Sequence, residues 1–400
     1  MALIQSHPGP PLQLRLARDL TRSIKRGHPW VFAEALRQLP PARPGAHVVL
    51  LDNKKGREIA RGFYNPHSPL AFRVCTTNPG ESLDQQWAQK SLTRALALRR
   101  ALFDEHTTGF RLFNGEGDGL PGLICDIYGD TAVIQLDGAG PSGFWDAPGV
   151  AQWLAQSLSF NCVYERSRAE GHMSGRLLAG VMPTTPAAFV ENGVRFMVDV
   201  VRGQKTGFFL DQRDNRQKIR ELASGRQVLN VFGYTGGFSV YAGLGGASHV
   251  TTVDLASTAL EAAQANWVLN QLPPAQHELL AADAFEFLAE AAAQRKFWNL
   301  VIVDPPSFAS SQAAVPKAVA AYQKLIGAAA AVTEPDGLLA AASCSSHVRL
   351  EVFLGACEEG ISIARRKATV LYIGGQPADH PTPLALPEFR YLKFVLMRVE

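Results

Sequence analysis

The chain is poor in cysteine. Five thiols (Cys75, Cys125, Cys162, Cys344 and Cys357) are scattered over 400 residues, odd in number and never at C-x-x-C spacing. That argues against a disulfide framework and against a zinc site, and fits a reducing compartment. No run of 18 residues is apolar without polar or charged interruption, which excludes a membrane-spanning helix. The opening residues, MALIQSHPGPPLQLRLARDL, hold no signal-peptide core. Low-complexity tracts are also missing. These absences lead to the expectation of a cytoplasmic protein with no metal site and no membrane association. With 46% hydrophobic and 19% charged residues the composition is globular, and 400 residues exceed one ordinary core.

The net charge is only +3, but it is unevenly placed. Residues 1–100 hold 16 Lys and Arg against 6 Asp and Glu, whereas the other 300 hold 23 against 30. A basic first quarter on a slightly acidic body fits a polyanion-binding appendage on an enzyme; a merely solvated basic surface is the plainer alternative. Residues 12–78 read as a small β-rich unit. LQLRL alternates, DLTRSIKRG is a short helix stopped by glycine, AHVVLLDNKKGREIARGFY gives two strands about a turn, and LAFRVCT adds another. Residues 83–104 show the apolar spacing of a connecting helix. Residues 110–200 are mixed, with a Gly- and Asp-rich hairpin at FRLFNGEGDGLPGLICDIYGDTAVIQLD, a helix at GVAQWLAQSLS and strands at NCVYERS and RFMVDVV. The expected division is a β-rich domain over 1–80, a connecting helix over 81–108, an α+β domain over 109–200 and a C-terminal domain over 201–400.

From about residue 226 short apolar strands (QVLNVFG, SHVTTVDL, HELLAAD, WNLVIVDPP, GLLAAASCS) alternate with helical patterns near 237–244, 256–271, 284–294, 314–333 and 347–358. This rhythm predicts a doubly wound parallel α/β sheet, with its ligand at the carboxyl ends of the strands. The first strand ends in NVFGYTGGFS, where Gly233, Gly236 and Gly237 allow a tight turn into a helix, though not at G-x-G-x-x-G spacing. Asp254 ends the second strand and suits two ribose hydroxyls, with helix capping as its plainer role. Asp283, after the third, can accept from an adenine amino group or cap the next helix. The fourth ends in Asp304-Pro305-Pro306, a stiff turn that can hold a carboxylate and carbonyls against a planar, amine-bearing substrate. The fifth runs into SCSSH, which puts Cys344 at the expected crevice instead of in mid-core.

These residues resemble a known family. GQKTGFFLDQRDNR (203–216), VLNVFGYTGGFS, DPPSF, SCSSH and ADHPTPLALPEFRYLKF are similar to the bacterial 23S ribosomal RNA large-subunit cytosine-5 methyltransferases. GHPWVFAEAL with ARGFYNPHSPLAFRV resembles that family's PUA domain, a small RNA-binding pseudobarrel, and NGEGDGLPGLICDIYGD its central domain. The resemblance spans nearly the whole chain in order. It departs at Asn230, where many S-adenosylmethionine (SAM) enzymes carry an acid, and at Ser307, where relatives often have lysine.

The resemblance implies a Rossmann-like class I methyltransferase domain, SAM as cofactor, and 23S rRNA or a large-subunit assembly intermediate as partner. It leaves the target nucleotide and the oligomeric state, a homodimer among the options, open. Cys344 would attack carbon 6 of cytosine, Asp304 would hold the amino edge of the base, and Glu388 is the candidate for removing the carbon-5 proton, ahead of His380 and Ser307. Cofactor contacts are expected from Asn230, Phe232, Gly233, Tyr234, Thr235, Gly236, Gly237, Asp254, Asp283, Gln212 and Pro305. RNA contacts are expected from Arg22, Lys25, Arg26, Arg61 and Arg213. The nearest rival is an RNA amine methyltransferase, which also uses Asp-Pro-Pro but needs no cysteine.

Overall fold

The computed structural model describes residues 2–7, 9–169, 172–203 and 207–400; positions 204–206 of the GQKTGFFLDQRDNR run lie outside them. The chain divides into two compact units. The first comprises Met1–Glu191, Val198–Phe208 and Ala378–Phe389, and the second Asn192–Met197, Phe209–Pro377 and Arg390–Glu400.

In the first unit a five-stranded sheet runs in the order Leu12–Arg15, Ala46–Leu51, Glu58–Tyr64, Phe72–Thr76, Trp30–Val31. Its alternating strands turn Leu14, Val48, Leu50, Ile59 and Phe72 into one core. The helix Thr21–Lys25 buries only Ile24 and leaves Arg22, Lys25 and Arg26 exposed. A second sheet has the order His172–Gly180, Cys162–Ala169, Thr131–Leu136, Leu123–Tyr128, Gly109–Asn114. The segment expected to be one hairpin is therefore a three-stranded meander. Its Gly-Glu-Gly-Asp turn is long enough to close one pair of strands, and Tyr128 and Thr131 close the next.

The connecting helix Gln85–Leu102 begins at Asp84, which accepts from the Trp87 amide at 2.9 Å, and it buries Leu92, Leu96 and Arg99. Arg99 forks onto Asp118 (2.6 and 2.9 Å) and also donates to the Asp379 carbonyl at 2.7 Å. The Asp379 carboxylate accepts from the Arg111 amide at 2.9 Å. These buried bonds draw Ala378–Phe389 into the first unit, so the C-terminal domain is not the continuous 201–400 block expected. Apolar patterning does not show this, because the tie is made by charged groups.

The second unit is a seven-stranded sheet flanked by helices. In chain order its elements are α1 (Arg213–Leu222), β1 (Gln227–Val231), α2 (Gly237–Leu244), β2 (His249–Asp254), α3 (Ser257–Leu269), β3 (His277–Ala281), α4 (Ala284–Ala293), β4 (Trp298–Val303), α5 (Val315–Ala331), β5 (Thr333–Ser343), α6 (Leu350–Ile363), β6 (Ala368–Gly374) and β7 (Lys393–Val399). The sheet order is β3-β2-β1-β4-β5-β7-β6, with β7 antiparallel to both neighbours. This is the doubly wound α/β class expected. Side chains alternate into two cores: Leu229, Val231, Val301, Val303, Leu339 and Ala341 on one face, Val228, Leu300, Ile302, Leu338 and Ala340 on the other. Each fully buried Val, Leu or Ile contributes about 1.5–3 kcal/mol, which explains why these strands read as unbroken apolar runs.

Strand order reverses between β1 and β4, so the loops after β1, β2, β4 and β5 share one edge of the sheet.

Candidate active site

The loop after β1 is held in an uncommon backbone conformation. Phe232 (φ 61°) and Tyr234 (φ 47°) are left-handed without being glycine, which costs on the order of 1–2 kcal/mol each and persists only where neighbours fix it. The Gly233 amide donates to the Val253 carbonyl at 3.0 Å, and the Tyr234 amide donates to Asp254 Oδ2 at 2.9 Å. A Cβ on Gly233 would lie 2.3 Å from Thr252 Cγ2, so no larger residue fits there. Gly236 (φ 78°) opens α2 with no side-chain cap. Phe209 packs edge-on against Tyr234, with ring centroids 5.3 Å apart.

Asn230 supports this loop from beneath. It is 1% exposed, its amide donates to Ser239 Oγ at 2.8 Å, and the chain of bonds continues through Thr252 (2.7 Å) to His277 Nε2 (2.8 Å). Burial, aided by the charge of His249, lowers the His277 pKa to about 4. Asp254 Oδ1 accepts from the Ala256 amide at 2.9 Å, and so the half-buried carboxylate ties the loop to the start of α3. Asp283 is exposed; its Oδ1 caps α4 through Phe285 (2.8 Å) and Glu286 (3.1 Å). Its Oδ2 takes no part in the cap. Two carboxylates, an α2 start with no side-chain cap and a glycine-lined turn form a donor and acceptor set that suits a nucleoside bearing a carboxylate.

Beyond β4, Asp304 Oδ2 accepts from Gln212 Nε2 at 3.0 Å. Gln212 is 3% exposed and its Oε1 accepts from Asn215 at 2.6 Å. Asp211, one residue earlier, accepts from the Tyr391 hydroxyl at 2.6 Å. The LDQR motif thus reaches the Asp-Pro-Pro turn through side chains far apart in sequence. Pro305 is buried directly behind Asp304.

Cys344 follows the last residue of β5 and is half-buried. Its flanking residues, Ser343 and Ser345, are fully buried. Ser343 donates to the Tyr322 hydroxyl at 2.9 Å, and that hydroxyl lies 3.0 Å from Ser345 Oγ. Ser307 Oγ lies 2.9 Å from Ser345 Oγ. This departure from lysine therefore pins the turn after β4 to the SCSSH loop. Burial raises the Tyr322 pKa, and its two serine bonds partly oppose the rise. Tyr322 and Lys393 escaped the sequence reading. Lys393 is paired across the sheet with Ser343 and is 4% exposed, and its Nζ donates to the Ser345 carbonyl at 2.6 Å and the Tyr391 carbonyl at 2.7 Å.

The other expected residues fall elsewhere. Glu388 is exposed in the turn Pro387–Phe389 of the first unit, and buried His380 contacts Asp379 at 3.1 Å. Arg61 is engaged by Glu58 at 2.7 and 3.1 Å, which partly neutralises it. Arg213, expected to meet RNA, is 2% exposed at the start of α1, beside Gln212. A cavity of about 590 Å³, lined by His7, Arg43 and His47, belongs to the first unit and includes none of the strand-end residues. No helix among the described residues is long and apolar enough to cross a membrane.

Known proteins share this architecture. The family model for S-adenosylmethionine-dependent methyltransferases matches residues 147–359, and that for PUA-like domains matches residues 14–77. A Deinococcus radiodurans protein named ribosomal RNA large subunit methyltransferase is 37% identical, over 98% of this chain and 98% of its own. The ribosomal RNA large subunit methyltransferase I of Photobacterium profundum is 38% identical over 94% of this chain and 97% of its own. A Streptococcus mutans structure described as a SAM-dependent methyltransferase superimposes with a TM-score of 0.85 at 25% identity, covering 97% of this chain and all of that one. A methyltransferase chain solved with SAH reaches 0.86 at the same identity and coverage.

Proposed function

The chain belongs to the SAM-dependent ribosomal RNA large-subunit methyltransferases, and from that premise we propose that it makes 5-methylcytosine in 23S rRNA through a covalent adduct on Cys344. The setting of Cys344 carries this reading. It is a thiol at the carboxyl edge of the sheet, beside the Asp304 turn, with both flanking serines fixed from behind by Tyr322 and Ser307. A cysteine that merely filled core volume would not need hydrogen-bonded neighbours on both sides.

Carbon 5 of cytosine is too weak a nucleophile to take a methyl group unaided. In the proposed sequence the Cys344 thiolate adds to carbon 6, the S–C bond forms, and the ring electrons shift to make carbon 5 enamine-like. Bound SAM supplies the electrophilic methyl group at that carbon. Asp304, oriented by Gln212, receives the amino and ring-nitrogen edge of the base, and a proton shared there stabilises the charge that addition pushes onto the ring. A base then takes the carbon-5 proton, the S–C bond breaks, and the thiolate leaves; Glu388 is the candidate base that the sequence resemblance offers. Asp254 and Asp283 would hold the cofactor's ribose and adenine, and the loop of Phe232, Gly233, Tyr234, Thr235, Gly236 and Gly237 its remaining polar groups. Asn230 would serve through the loop it supports. Exposed Arg22, Lys25 and Arg26 on the PUA-like domain would neutralise RNA phosphates.

RNA carrying 5-fluorocytidine tests the chemistry, because fluorine at carbon 5 cannot leave as a proton does and the adduct persists. The expected product is an RNA crosslink on the peptide that contains Cys344. An enzyme that methylates ordinary RNA yet forms no such crosslink contradicts the covalent route.

A further inference from the structure

Lys393 is a buried ammonium with no acidic partner. Two of its three N–H bonds go to the carbonyls of Ser345 and Tyr391, and among the described residues no carboxylate lies within ion-pair distance. Carbonyl dipoles alone compensate a desolvated charge poorly, so such a lysine calls for an anion. Its position narrows the choice. Lys393 opens β7 opposite Ser343, and its amine reaches along the chain to the carbonyl just beyond Cys344.

The other titratable groups on the surrounding elements do not supply that anion. Tyr322, from α5, is a buried phenol bonded to Ser343 and Ser345. Asp211 is engaged by Tyr391 and Asp304 by Gln212. His347 and Arg349 are exposed. Resting on Cys344 as the nucleophile, we propose that Lys393 is the counter-ion of its thiolate, holding the sulfur ionised before addition to the base and again when it is expelled. Lys393 exchanges no proton with the substrate; the thiol proton leaves to solvent. Burial lowers the lysine's pKa to about 8, while the charge of Cys344 acts in the opposite direction. Because it acts through Cys344, Lys393 is a positioning residue.

The background for a test is favourable. Burial raises the pKa of Cys75, Cys125, Cys162 and Cys357, the last to about 12, so near pH 7 iodoacetamide should report chiefly on Cys344, with Cys344→Ala as the blank. In alkylation the thiolate forms an S–C bond and iodide leaves, and so the rate follows the thiolate fraction. In Lys393→Met the alkylation midpoint is expected to rise by roughly one pH unit, a tenfold loss of thiolate near neutrality. kcat for methyl transfer should fall about tenfold at pH 7 and recover at higher pH, with KM for SAM and RNA unchanged and Lys393→Arg restoring part of the loss.

A wild-type alkylation profile in a folded, SAM-binding Lys393→Met protein overturns the proposal. Should that variant not fold, the reciprocal measurement decides. With 13C-labelled lysine in the full chain, Cys344→Ala must lower the Lys393 pKa, and an unchanged value overturns it. Failure of the covalent reading looks different: Cys344→Ala would then keep its methylation activity, whatever the alkylation profile shows.

Discussion

Replacing Tyr322 by Phe removes one oxygen from the interior behind Cys344. The residue is 1% exposed and its hydroxyl joins Ser343 (2.9 Å) to Ser345 (3.0 Å). Ser345 keeps Ser307 as a partner at 2.9 Å, whereas the Ser343 hydroxyl is left buried without the acceptor it donates to. A neutral hydrogen bond contributes about 0.5–1.5 kcal/mol net, and a stranded buried hydroxyl costs about 1–3 kcal/mol. The expected loss is about 2–3 kcal/mol, read by calorimetry as a drop of roughly 4–10 °C in the melting of the second unit. Single-turnover transfer from labelled SAM should slow by about 10- to 100-fold, because the loop that aims Cys344 loosens. SAM affinity, which the proposed function assigns to the β1 and β2 loops, should not move. A Tm within 1 °C of wild type together with wild-type turnover would refute the role given to this hydroxyl.

Other expectations test separate parts of the molecule. Arg99→Met strands Asp118 in the first unit and should cost about 3–5 kcal/mol; adding Asp118→Leu should recover most of it, and denaturant titration of both variants checks this. His277 has a folded pKa of about 4, below its unfolded value near 6.5, so the unfolded state binds the extra proton between those values. Stability should be level above pH 6.5 and decline by about 3 kcal/mol toward pH 4, and His277→Gln should flatten that decline in urea melts. Substituting Arg22, Lys25 and Arg26 together by Ala should reduce the slope of log affinity for rRNA against log salt by about 2; an unchanged slope removes that helix from the RNA contact.

Much of the second unit was legible in sequence, since strands covered on both faces must be apolar throughout and Gly, Asp and Pro punctuate their ends. α1 escaped because what it buries is Arg213, Asn215, Arg216 and Ile219, leaving almost no apolar period. β6 and β7 escaped the strand reading: β6 follows α6 but pairs only with β7, and β7 follows residues 375–392, which hold no α-helix to mark a parallel crossover. The first unit's claim on residues 378–389 rests on Asp379 meeting Arg99 and Arg111, a long-range polar tie with no local signature. At the site, Cys344, Asp304 and Asp254 stood at strand ends and could be found by topology. Tyr322 and Lys393 could not, because they act from a helix interior and from across the sheet.

The most direct measurement is on Cys344 itself. Wild type and Cys344→Ala are incubated with labelled SAM and large-subunit rRNA, and the RNA is digested to nucleosides. Covalent catalysis requires label in 5-methylcytosine from wild type and none from the alanine variant, which still binds SAM. Methylated nucleoside from the alanine variant at a comparable rate, or label in an adenine or guanine amine, would contradict it.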